Sequence, residues 1–96
     1  MPTFAVLSNW TDEGIRHIKG SPARLDNVKQ QLEKSGCKML RHFLTTGAYD
    51  MVMFVEADEG TKVEEFVLAS NSLGNVRSHL VRVWPEDEYR QMIEEL

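Results

Sequence analysis

A single cysteine, Cys37, leaves this chain of 96 residues without the means to form an internal disulfide, which fits a reducing, cytoplasmic setting. No motif beside Cys37 would lower its pKa, so it reads as a small core or strand-edge residue rather than a nucleophile. Positive charge is also short: 11 Lys and Arg against 15 Asp and Glu give a net charge of −4. Arg77, Arg82 and Arg90 are separated by apolar or acidic residues, so no basic stripe exists to hold a phosphate backbone and no nucleic-acid partner is expected. No apolar run is long enough to span a bilayer. The one in "MPTFAVLSNW" is shorter than a signal h-region and has no basic start, so no membrane association is expected. A glycine-rich phosphate loop, a G-x-S-x-G elbow and a C-x-x-C pair are all missing, and no cofactor is expected. The three histidines, His17, His42 and His79, form neither an H-x-H nor an H-x-x-x-H pair, and no metal is expected.

What remains is an ordinary globular composition, 42% hydrophobic and 27% charged, with no low-complexity tract that would stay disordered. Strand formers predict a buried strand from Thr3 to Ser8. Thr11 then stands as an N-cap, with Asp12 and Glu13 in the first helical turn where carboxylates suit the helix dipole. Gly20 interrupts this helix; Ser21 is a capping candidate for its restart, and Pro22 sits where a missing N–H costs nothing. Leu25, Val28 and Leu32 form an apolar stripe that Gly36 terminates.

Strand-like segments follow at Cys37–Thr45 and Tyr49–Ala57, with Gly47 and Ala48 spaced as a tight hairpin turn. Gly47 can take positive φ and Asp50 can bond local N–H groups, so turn chemistry explains both. Thr61 and Glu64 have capping-box spacing, with Asp58 as a rival cap, ahead of a helix whose stripe is Val63, Phe66, Val67 and Leu73. "LGN" ends it, and Val76–Trp84 reads as a fourth strand. After Pro85, Tyr89, Met92, Ile93 and Leu96 fall at i, i+3, i+4 and i+7, a stripe that must dock on something.

The order β-α-β-β-α-β with an extra C-terminal helix is the α+β, ferredoxin-like arrangement: a four-stranded antiparallel sheet with both long helices on one face. Residues 1–96 read as one domain. The segments "NWTDEGIR", "SPARLD", "TTGAYDMVMFVEA", "SLGNVRSHLVR" and "PEDEY", in this order and spacing, resemble the GYD domain family over about Thr3 to Tyr89. Ala48 stands between the glycine and the Tyr-Asp of the family's name. The resemblance implies a dimeric α/β-barrel type of fold, in a group that includes cofactor-free monooxygenases, dehydratases and stress-response proteins. It implies no catalytic residues. The hairpin is also similar to that of amino-acid effector domains in leucine-responsive regulators.

A hairpin turning at Gly47-Ala48 would put Met39, Arg41 and Phe43 on one sheet face with Asp50, Val52, Phe54 and Glu56, and Leu40, His42 and Leu44 on the other with Tyr49, Met51, Met53 and Val55. Both faces are largely apolar. The helices cover one; a second copy of the chain is the expected cover for the other, giving a homodimer or a multiple of one. Polar and aromatic groups among such residues are the candidate ligand contacts. These are Asn9, Trp10, Arg41, Tyr49, Asp50, Glu56, Arg77 and Trp84, with His79 and His42 as candidate catalytic bases. Bland roles stand beside them: Asn9 and Asp50 as turn residues, Trp10 and Trp84 as core edges, Arg41 and Glu56 as a diagonal ion pair. The leading expectation is a homodimeric binding or stress-associated protein with a small organic ligand in an apolar pocket beside the sheet. The alternatives are a cofactor-free monooxygenase or isomerase, with Arg77 or Tyr49 steadying an oxyanion, and an amino-acid effector module.

Overall fold

In the computed structural model, which describes residues 1–96, Thr3–Trp10 forms β1, two residues longer than the apolar run predicts. Within the sheet those residues pair with β4 (Val76–Val83) alone, as Asn9–Arg77 and Trp10–Val76, whereas pairing with β3 (Met51–Glu56) stops at Ser8–Met51. With β2 (Lys38–Leu44) at one edge, the antiparallel sheet has the order β2-β3-β1-β4. The helical elements are α1 (Asp12–Arg16), a 3-10 turn (Ile18–Gly20), α2 (Ser21–Lys34), α3 (Gly60–Ser72) and α4 (Glu86–Glu94). The architecture is ferredoxin-like α+β.

Local chemistry sets the boundaries. Thr11 caps α1, its Oγ1 accepting from the Gly14 N–H at 3.1 Å. Ser21 does not cap α2. The 3-10 turn runs straight into the helix, so Gly20 holds the cap position with φ −84° and ψ −4°, and Ser21 is already helical. Neither Thr61 nor Asp58 caps α3: Glu59 does so through its backbone position, without a side-chain bond. Gly60 opens that helix hard against Phe4, whose ring would stand 3.1 Å from an added Cβ. At the other end Leu73 falls just outside α3 and is 75% exposed, so the buried stripe of this helix is Val63 and Val67, with Phe66 half-buried.

The β2–β3 connection departs most from the sequence pattern. It spans residues 45–50 instead of a two-residue turn, closed by Thr45 N–H donating to Asp50 O at 2.8 Å and Thr45 Oγ1 to Tyr49 O at 2.6 Å. Asp50 is drawn out of the hairpin by β1. Its N–H donates to Ser8 O and Asn9 Oδ1, each at 3.0 Å, and its carboxylate accepts the Trp10 N–H at 3.0 Å. Asp50 thus closes its own loop through its carbonyl and ties that loop to a distant strand through its N–H and carboxylate.

A register shift between Met39 and Arg41 changes the faces as well. Met39 sits opposite Val55 and packs against the core, so it shares the helix-covered face with His42, Leu44, Met51, Met53 and Val55 instead of lying beside Arg41 and Phe43. Leu40 occupies the bulge and is 39% exposed.

Alternation along β1 puts Phe4, Val6 and Ser8 on the covered face and Ala5, Leu7 and Asn9 on the other. The core of Phe4, Val6, Leu32, Cys37, Met53, Val55, Ala57, Val63 and Val67 gathers where β1 begins and β3 ends. There the C-terminal half of α2 meets the first turns of α3 across the sheet. At the opposite end, where β1 finishes, the helices diverge: α2 lies over edge strand β2, and α3 over β4 and β1. The other sheet face, with Leu7, Phe43, Val52, Phe54 and Val81, has no helix on it. Nor does α4 cover it: Tyr89, Met92, Ile93 and Leu96 are 56%, 47%, 52% and 97% exposed.

Candidate functional site

The divergence of α2 and α3 opens a cleft of about 440 Å³ over the sheet, in the size range of small-molecule sites. Its floor comes from strand residues that point at the helices: Ser8, Met51, Met53, His42, Leu44, Val76 and Ser78. One wall is the first half of α2, with Ser21, Arg24, Leu25 and Val28, and the opposite wall is the second half of α3, with Phe66 and Ser70. Trp10, Ile18, Leu73 and Asn75 close the rim.

Two serines on adjacent strands leave this space. Ser8 and Ser78 face each other in the β1–β4 register and share a hydrogen bond of 2.8 Å between their hydroxyls, both buried. Each satisfies the other's polar group, so the floor stays low without an orphaned hydroxyl. Asn71 holds this place firmly, accepting the Ser78 N–H at 2.8 Å and donating Nδ2 to Ser78 O at 3.2 Å, which locks α3 to β4 beside the cleft. The rim is tied down as well: Thr11 N–H donates to Asn75 O at 3.1 Å and Thr11 Oγ1 to Gly74 O at 2.5 Å. Gly14 allows this contact, since a Cβ there would lie 2.0 Å from Asn75 O.

The charge of the lining is one-sided. The chain has 15 Asp and Glu, yet none lines the cleft, where the ionisable groups are Arg24 and His42. Burial pushes the His42 pKa below its ordinary value and nearby Lys29 adds to the effect, both favouring the neutral imidazole. Arg24 donates Nη1 to His17 O at 3.1 Å, while its Nη2 is shut off from solvent and bonds to nothing. Three ion pairs, Glu13 with Arg16, Glu13 with His17 and Glu86 with Arg90, leave Arg24 without a carboxylate.

Of the residues singled out from sequence, Trp10 and His42 line this cleft. Asn9 and Asp50 bond to each other and form the clamp between β1 and the β2–β3 loop. Arg41, Arg77 and His79 lie on the uncovered sheet face, where the Tyr49 and His79 rings meet edge to face at 6.5 Å. His42 and His79 are on opposite edge strands and opposite faces, so they cannot act together within one chain. The diagonal ion pair of Arg41 with Glu56 does not form: Arg41 stands opposite Phe54, with its guanidinium 5.3 Å from the Phe43 ring centroid, and Glu56 stands opposite Lys38. Trp84 lies at the far end of β4, its ring 4.5 Å from the Arg82 guanidinium, which also donates to Thr3 O and Val83 O. No group of three or more His, Cys, Asp or Glu side chains converges as a metal site would require.

Sequence reasoning passed over Arg24, Ser8 and Ser78. The serines carried a usable signal. Each breaks the apolar helix-facing side of its strand, after Phe4 and Val6 in β1 and between Val76 and Leu80 in β4, where a small side chain must leave either a cavity or a site.

A family model described as the GYD domain matches residues 4–93. The chain belongs to the GYD domain family. This GYD domain is 35% identical over 86 residues to the glutamine synthetase and cystathionine beta-lyase binding protein of Thermus thermophilus, a match that covers 88% of this chain and 90% of that protein. Among solved structures it is similar to FFRP-DM1, with a TM-score of 0.59 and 14% identity over 88% of this chain and all of the other. It is also similar to MtbAldR, with a TM-score of 0.59 and 15% identity over 88% of this chain and 54% of that one. A third match is the hypothetical protein PHS023 of Pyrococcus horikoshii, with a TM-score of 0.54 and 15% identity over 90% of this chain and 93% of that one. At such identities the structural matches establish the GYD domain's fold alone.

Proposed function

We propose that this GYD domain is a binding protein that holds a small organic molecule in the cleft between α2, α3 and the sheet, and that it works as a homodimer joined through the uncovered sheet face. The cleft itself carries the reading: about 440 Å³ over a floor whose two buried serine hydroxyls bond to each other. Apolar side chains such as Leu25, Val28, Met51, Met53 and Phe66 supply most of the contact surface, which suits an apolar guest. The dimer reading rests on Leu7, Phe43, Val52, Phe54 and Val81, which form an apolar surface with no cover from the chain's own helices. Burying side chains of this size stabilises by roughly 1.5–3 kcal/mol each, before the cost of association.

A thermal-shift screen over aromatic, fatty and amino-acid compounds tests the ligand reading, because a ligand bound only by the folded state raises stability by RT ln(1 + [L]/Kd). Raised melting temperatures for one apolar class support it; a flat response across all classes contradicts it. A second reading draws on the Thermus thermophilus relative, named as a binding protein for two enzymes, and on the exposed apolar stripe of α4. In this reading the chain docks on a metabolic enzyme. Gel filtration with purified glutamine synthetase and with cystathionine beta-lyase tests it: co-elution supports an enzyme-binding role, and separate peaks at micromolar concentrations count against it.

A further inference from the structure

We infer that the ligand of the cleft is a monocarboxylic acid with an apolar body, anchored through its carboxylate by Arg24, and that α-amino acids are poor ligands. This rests on the ligand-binding reading above and names the chemical class of the guest. Four observations converge. Arg24 lines the cleft and has no carboxylate partner anywhere in the chain, and its Nη2 is buried without an acceptor. An unsatisfied buried guanidinium nitrogen is costly, and a planar carboxylate is the group that a guanidinium fork matches best. Second, α2 starts at this wall with Ser21 and Pro22 lining the cleft; it has no side-chain cap and no acid in its first turn. The 3-10 turn before it takes up the Ser21 N–H through Ile18 O but brings no carboxylate to this wall. Third, no Asp or Glu lines the cleft of a chain whose net charge is −4, so Arg24 is the one permanently charged group in its lining. Fourth, the remaining lining is mostly apolar and suits one alkyl or aryl body rather than a second charged group.

The same inventory disfavours amino acids. An ammonium group entering the cleft would meet the Arg24 cation and, lacking any carboxylate, would lose its hydration without an opposite charge in return. Because Nη2 is sealed from solvent, the Arg24 side chain must turn as the carboxylate arrives. Its single side-chain bond, to His17 O at 3.1 Å on an exposed turn, is a weak restraint on that movement.

Isothermal titration with four probes of one chain length, octanoate, octanol, octylamine and 2-aminooctanoate, tests the inference on the wild-type protein and on Arg24→Met, which keeps an unbranched apolar stem and removes the guanidinium. Octanoate is expected to bind the wild type most tightly, and Arg24→Met to weaken it roughly ten- to a hundredfold, the effect of losing a hydrogen bond to a charged group, with a smaller loss for octanol, which offers the guanidinium no charge, and a native circular dichroism spectrum. Octanol binding as tightly as octanoate, or 2-aminooctanoate matching octanoate, overturns the carboxylate assignment and leaves the cleft as a ligand site. Failure of all four probes overturns the ligand-binding reading as well. If Arg24→Met loses its fold, Arg24→Lys is the second variant, expected to keep the charge but lose part of the affinity because an ammonium cannot form the bidentate pair.

Discussion

Replacing Gly14 by alanine tests the packing that holds the cleft rim. The added Cβ would lie 2.0 Å from Asn75 O, 3.0 Å from Asn75 C and 3.3 Å from Asn75 Cα. All three neighbours are backbone atoms, so no rotamer change relieves the clash, and α1 must move from the α3–β4 turn by more than about 1 Å to reach ordinary contact distance. That movement stretches the two tethers between these segments, Thr11 N–H to Asn75 O at 3.1 Å and Thr11 Oγ1 to Gly74 O at 2.5 Å. At about 1 kcal/mol each their loss costs about 2 kcal/mol, and residual overpacking adds about 1–3 kcal/mol. Alanine returns up to about 1 kcal/mol through helix propensity. The net destabilisation is about 2–4 kcal/mol, a fall in Tm of roughly 10–30 °C for a domain of this size. Circular dichroism melts of the wild type, Gly14→Ala and Gly20→Ala provide the assay, the last being a control because its methyl meets only the end of the Arg24 side chain. A Gly14→Ala melt within about 2 °C of wild type, where a loss of ~1 kcal/mol would already cost several degrees, would refute the close approach of α1 to Asn75.

Phe54→Asp places a charge on the uncovered face and is expected to give a folded monomer in light scattering coupled to gel filtration, whereas Met53→Asp, at a position 7% exposed beneath the helices, is expected to lose the fold; a dimeric Phe54→Asp protein would contradict the proposed interface. His42 should make stability depend on acid. Its pKa is lowered in the folded state by burial and Lys29, so the unfolded chain takes up the proton first as pH falls below about 6.5. Its contribution is therefore complete above that pH and is lost as pH drops toward the folded pKa. His42→Gln should accordingly lose less stability than wild type between pH 7 and pH 5 in urea titrations; parallel losses would contradict the burial of His42. Cys37 is 4% exposed and burial raises its thiol pKa, so an aromatic disulfide reagent should react slowly with the native protein and quickly in denaturant, with equal rates counting against the placement.

The element order was readable because local signals agreed: Thr11 as a cap, Gly36 and Gly74 as stops with φ of +80° and +89°, and apolar stripes of the right period. Errors arose where a distant segment decided the outcome. The two-residue turn at Gly47-Ala48 failed because Asp50 bonds to β1, and Met39 changed faces because of a bulge that the apolar pattern of β2 does not reveal. The site was least legible for a similar reason. Arg24 sits on an ordinary helical stretch, and its lack of an ion-pair partner is a property of the folded surroundings. Conspicuous aromatic and charged residues such as Tyr49, Arg77 and His79 drew notice in the sequence, yet they share the uncovered face, while the cleft owes its floor to two inconspicuous serines.

The most direct test of the cleft as the binding site is a ¹H–¹⁵N correlation titration with the compound that gives the largest thermal shift. Amide perturbations are expected to centre on Arg24, Leu25, Val28, Met51, Phe66 and Ser78, which surround the cleft, with little change at Leu7, Val52, Phe54 and Val81 on the opposite face. Perturbations confined to that opposite face, or spread evenly over the chain, would contradict the cleft as the binding site.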